Sequence, residues 1–189
     1  MATDEASARE IVELTKPAVE KLNRVLLEVK PGDVTRAIYD DLRMRIAHAL
    51  GGIFSLQSDL RRAFPNLQNS TDPTFNPSGK SGNELVDELL PAAVAAPTNG
   101  MTREYGEFIQ QSVLTAIRQI HEIFETHSEA DDNIKFHVGR IIGRMQEVLE
   151  VVIAIHPDLD DLKDVELPEE TLIKLEELRR RKKNESYSQ

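Results

Sequence analysis

Apolar residues recur along this chain at steps of three and four, the period of a helix face, and no long run alternates apolar and polar as a half-buried strand would. From Ile11, the positions Leu14, Ala18, Leu22, Val25 and Val29 mark a first helix; Pro17 removes a backbone donor from it and predicts a kink or break. Lys30-Pro31-Gly32 stops that segment, and Asp33 is placed to cap a second long helix reaching about Phe64. Its stripe, Leu42, Ile46, Ala49, Ile53, Leu56, Leu60 and Ala63, steps 4-3-4-3-4-3, the seam of coiled-coil-like packing. Thr102 is a candidate cap for a third helix with the stripe Tyr105, Ile109, Val113, Ile117, Ile120 and Phe124. After a break around Ser128 to Asp132, a fourth carries Ile134, Val138, Ile141, Met145, Val148, Val152 and Ile155, widened by Ile142, Leu149 and Ile153. A stripe that wide is buried against two neighbours, as in a bundle.

Between the two helical halves, Pro65 to Gly82 is rich in Asn, Ser, Thr, Pro and Gly and reads as a mobile loop. A short helix is predicted from Asn83 to about Leu90, then an Ala/Pro-rich stretch and a turn at Asn99-Gly100. Beyond His156-Pro157 the composition changes: from Asp158 to Glu170 seven acidic residues oppose one lysine. Pro168 then opens a final amphipathic helix with Leu172, Leu175 and Leu178 on one side. The pattern predicts an all-α fold, an up-and-down four-helix bundle with short flanking helices and one long mobile loop at about 65–82. The bundle should occupy residues 1–157, with an acidic linker and a basic-ended helix in 158–189.

Composition narrows the chemistry. The chain has 189 residues, long enough to bury a real core, and no cysteine, which removes thiol nucleophiles, redox pairs and Cys-ligated zinc. A formal charge of −10 argues against an ordinary nucleic-acid binder. No apolar stretch approaches the roughly 20 residues needed to cross a bilayer, and the acidic Met-Ala-Thr-Asp-Glu start has no secretory or mitochondrial pattern. A cytoplasmic protein is expected, or a nuclear one in a eukaryotic host.

No recognisable active site assembles. His121, Glu122, Glu125, His127 and His137 are the nearest metal candidates, but none forms the Glu-x-x-His of bundle metal sites, and no metal or other cofactor is expected. These groups read as solvated residues flanking a helix end. Hydrolase and phosphate-loop signatures are absent, and adjacent acids such as Asp40-Asp41, Asp131-Asp132 and Asp160-Asp161 do not converge. The most pointed segment is Arg45 to Gly52: taking Ile46 and Ala49 as core-facing puts His48 on the outside, with Gly51 and Gly52 beside it leaving the imidazole unshielded. Two glycines inside a helix cost about 1 kcal/mol each relative to alanine, which points to a kink, a close helix contact or a docking surface.

With His48, Leu50 and Gly52, this segment resembles the phosphoacceptor motif of histidine phosphotransfer proteins, four-helix bundles with an exposed histidine followed by x-Leu-Lys-Gly. More loosely, it is similar to the dimerisation-helix histidine segment of sensor kinases. The resemblance covers about eight of the 189 residues, and Gly51 stands where the family has lysine. It implies that His48 would accept and pass on a phosphoryl group by attack of its neutral nitrogen.

Two other features suggest partners. Leu85, Leu89, Leu90 and Val94 form a short apolar strip that either caps its own bundle or docks into another protein. The run Arg179, Arg180, Arg181, Lys182 and Lys183 suits a helix C-terminus, a nuclear address or an anionic contact. The reading these features favour is a non-enzymatic interaction module, a subunit or adaptor. It would bind other proteins, or a second copy of itself, through apolar helix faces that include Leu172, Leu175 and Leu178. The alternative is phosphotransfer through His48.

Overall fold

The computed structural model describes residues 3–69, 99–127 and 132–159. Within them four α-helices appear: α1 (Glu5–Leu27), α2 (Arg36–Ala63), α3 (Arg103–Thr126) and α4 (Asp132–Ile155). The apolar stripes point inward as their spacing predicts. Ile11, Leu22, Leu42, Ile46, Ile53, Ile109, Ile117, Ile120, Val138, Ile141 and Met145 are fully buried in one core. Phe124 and Ile155, at the ends of their stripes, are only partly covered, and Ala63 lies exposed.

The helix ends differ from the expectation in two places. No break occurs at Pro17: α1 continues through it, because Pro17 and Glu13, whose carbonyl loses its partner, both face solvent. Asp33 does not cap α2. Its carboxylate accepts from the Lys30 backbone N–H at 2.8 Å, closing a turn in which Gly32 has φ 90°, and Thr35 occupies the cap position. The expected cap at Thr102 does form, its hydroxyl accepting from the Tyr105 N–H at 3.3 Å. At the other end of α2, the segment read as the start of a loop forms a 3-10 helix, Pro65–Asn69, that buries Leu67. The expected short helix from Asn83 and the remaining predicted loop lie outside the described residues.

Cross-links between termini fix the topology. Asn66, just past α2, donates to Glu5 at the start of α1 at 3.2 Å. At the opposite end the hydroxyls of Tyr39 (start of α2) and Tyr105 (start of α3) donate to the carbonyls of Leu26 and Val25 at 3.1 and 2.6 Å. There too, Val34 and Met101 form an isolated antiparallel bridge, and Nε2 of His156, just after α4, lies 3.1 Å from the Met101 carbonyl oxygen. So α2 and α3 run one way and α1 and α4 the other. The packed pairs are α1–α3, α2–α4, α3–α4 and, with the fewest contacts, α1–α2. Every adjacent pair is antiparallel, as in an up-and-down bundle, but the order around the bundle is α1, α2, α4, α3. The connection from α2 to α3 therefore joins opposite ends of a bundle that α2, with 28 residues, makes about 42 Å long.

One polar pair sits inside the core. Gln57 of α2 donates to the Thr15 hydroxyl of α1 at 2.8 Å, and that hydroxyl donates to the Val12 carbonyl at 2.7 Å. It pins the register of the most lightly packed helix pair, because slipping either helix would strand a buried amide.

Candidate functional site

His48 lies on the exposed side of α2. Met44, His48, Gly51 and Ser55, spaced four, three and four apart, share that face, and Met44 is 53% exposed. The two glycines separate. A Cβ on Gly51 would meet nothing within 4 Å, whereas one on Gly52 would lie 3.0 Å from Ile141 Cγ1 of α4. Gly51 thus leaves the imidazole open as expected, but Gly52 is buried and serves the close approach of α2 to α4. The nearest preceding cation, Arg45, is already engaged. Its guanidinium contacts Asp41 at 3.0 Å, donates to the Glu147 carbonyl at 2.9 Å and reaches Glu150 at 3.5 Å.

The outer face of α4 is the second exposed feature. Phe136 is 62% exposed, the most open large apolar side chain among the described residues. Gly139 and Gly143 follow it at three and seven residues on the same side, and a Cβ on either would meet nothing within 4 Å. Phe136 stands two residues after Ile134 and two before Val138, off the buried stripe. That off-stripe aromatic was the available sequence signal, and the periodicity reading passed over it.

The histidines at the α3–α4 end are only partly solvated. His127, with only 10% of its side chain exposed, places Nε2 3.5 Å from Glu10 of α1. His137, with 12%, lies 3.2 Å from Asp59 of α2. His121 pairs with Glu125 on its own helix at 3.6 Å and tilts against Phe124. Each imidazole thus faces a different carboxylate, and among the described residues no three potential metal ligands converge. The His127–Glu10 and His137–Asp59 pairs link the α3–α4 half of the bundle to α1 and α2, a link that helical periodicity within single segments could not reveal.

No known protein family matches the sequence, and no curated protein or solved structure is detectably similar to it. The remaining candidates fall elsewhere: Leu85, Leu89, Leu90, Val94, Leu172, Leu175, Leu178 and Arg179 to Lys183 lie outside the described residues. No helix among the described residues is long and apolar enough to cross a membrane.

The charged surface is built mostly from short-range pairs. At the α3 start, Arg103 contacts Asp158 at 2.6 Å and Glu107 at 2.9 Å, and the hydrogen bond from Arg103 holds the Asp158 carboxyl below the usual carboxylate range. Exposed pairs of this kind contribute little to stability. The large apolar side chains left exposed among the described residues are Leu27, Met44 and Phe136.

Proposed function

We propose that this chain is a non-enzymatic interaction module, a subunit or adaptor that binds other proteins through exposed helix faces. The observation that carries this reading is the outer face of α4. A glycine inside a helix costs about 1 kcal/mol relative to alanine, and among the described residues nothing packs against Gly139 or Gly143 closely enough to require a glycine, since an alanine methyl would fit at both. Bare backbone beside an exposed phenylalanine suits a partner that packs closely against α4, with Phe136 as its anchor. A photo-crosslinking residue placed at Gly139, with Phe136→Ser as the comparison, tests it. Crosslinks to one recurring partner, or to a second copy, should form with the wild-type face and disappear with Phe136→Ser at unchanged melting temperature. Crosslinking indifferent to Phe136 would remove α4 as the contact.

A second reading keeps His48 as a phosphoacceptor, and the specific observation in its favour is the exposure of that histidine on a four-helix bundle beside the open Gly51. The engagement of Arg45 and the glycine at position 51 leave no free cation in this segment to stabilise a phosphoryl group. Incubation with a phosphorylated receiver domain decides it. Label transferred to the wild type and lost in His48→Gln supports phosphotransfer, and equal labelling of both excludes His48.

A further inference from the structure

The most lightly packed of the adjacent helix pairs, α1 and α2, carries an apolar seam on its outer side. Val12 and Val19 stand three residues before and four after Thr15, and Leu50 and Phe54 stand seven and three before Gln57, so all four flank the Thr15–Gln57 bond. This side is turned from the other two helices: α3 meets α1 at Val25 and α4 meets α2 at Gly52, each a third of a turn or more around its helix from these residues. Yet Val12 and Val19 are 2% exposed and Leu50 1%, and Phe54 is partly covered. A lightly packed pair leaves the outer side of its seam open, so this burial calls for a further part of the chain along it.

Residues 70–98 connect Asn69 to Asn99, and the chain on either side of them is held against this pair. Asn66 donates to Glu5 in the first turn of α1 at 3.2 Å. At the other end the Thr35 N–H donates to the Gly100 carbonyl at 2.8 Å, and Gly100 abuts Ile38 in the first turn of α2. The direct course between these anchors runs along the α1–α2 seam. We propose that the seam is the docking site of the strip Leu85, Leu89, Leu90 and Val94 of the same chain. Leu85 and Leu89, four apart, present one apolar side to it. Only four residues separate Val94 from Asn99, a reach of about 17 Å, which keeps Val94 near Val19 and Leu50 and sends Leu85 on towards Val12 and Phe54. Charge agrees: Glu84, Asp87 and Glu88 border the strip, and Arg43 and Arg61 share the side of Phe54 on α2, eleven residues before it and seven after. The seam and the Phe136 face of α4 lie on different sides of the bundle, so the strip does not compete with the partner proposed above.

The chain has no cysteine, so a nitroxide attached through Asp87→Cys in the full chain labels one position. It should broaden the methyl resonances of Val12, Val19 and Leu50 and leave those of Ile142 and Val151 on α4 sharp. Leu89→Ser should remove that selective broadening and speed chymotrypsin cleavage within residues 83–94 by about tenfold or more, while the Val138 and Ile141 methyls keep their shifts. Broadening on α4, broadening of no helix selectively, or broadening and cleavage unchanged by Leu89→Ser would each overturn the proposal. A mixture of nitroxide-bearing chains without isotope and isotope-labelled chains without nitroxide tests the second copy. Broadening across that mixture would seat the strip on a neighbouring chain and overturn the proposal as well.

Discussion

The phenolic oxygen of Tyr105 donates a 2.6 Å hydrogen bond to the backbone carbonyl of Val25, joining the first turn of α3 to the last turn of α1 across 80 residues of sequence. It satisfies a carbonyl at a helix end that has no partner further along α1. Tyr39 does the same for Leu26 from the start of α2, so two tyrosines from different helices close one terminus.

Burial pushes the Tyr105 phenol far above its ordinary pKa. A raised folded-state value means that its contribution is complete below the unfolded value of about 10 and is lost as pH rises beyond it, when the unfolded chain ionises first. Tyr105→Phe should therefore cost about 1–3 kcal/mol at neutral pH. It should also flatten the decline in stability between about pH 9 and 11. Urea melts of both proteins across that range provide the check; parallel declines would show that the buried phenol is not responsible.

The glycines of α2 should respond in opposite ways. Gly51→Ala meets open space and should stabilise the protein by about 1 kcal/mol through helix propensity alone. In Gly52→Ala the new methyl presses on Ile141 at 3.0 Å, so the propensity gain is offset and the melting temperature should not rise. Thermal melts of the two single variants, side by side, measure the difference.

Gly139→Ala and Gly143→Ala should each add about 1 kcal/mol of stability on the same grounds. The interaction reading adds a second expectation, that both variants weaken partner binding while stabilising the fold. Alanines that stabilise the protein and leave binding unchanged would show that close approach to the α4 backbone is not needed.

For the buried polar pair, Thr15→Val leaves the Gln57 amide without its partner in the core and should cost about 1–3 kcal/mol. The double variant Thr15→Val/Gln57→Leu should recover part of that loss, because both polar groups are then gone. Denaturant unfolding of the full double-mutant cycle gives the coupling, and strict additivity would argue against the bond.

Gly100 precedes α3 with φ 91°, and a Cβ there would collide with Ile38 Cδ1. Gly100→Ala should cost at least the roughly 1–2 kcal/mol of a left-handed residue and loosen the Val34–Met101 bridge, read as faster amide exchange at Thr35 and Thr102.

Much of the bundle was legible in the sequence because helical burial repeats every three to four residues. Ile46, Ile53, Ile109, Ile117, Val138 and Met145 had to face a core, and that alone determined four helices and which side of each is covered. Local rules reach only as far as the turn they describe. Pro17 looked like a break because propensity ignores which way its freed carbonyl faces, and Asp33 looked like a cap because nothing local distinguishes a cap from a turn.

Only the tertiary structure decided the order of helices around the bundle, the pairing of His127 and His137 with Glu10 and Asp59, the separate fates of Gly51 and Gly52, and the tyrosine closure of α1. Each depends on groups brought together from distant parts of the chain by the packing of whole helices, and the period of a single helix carries no record of which neighbour it meets.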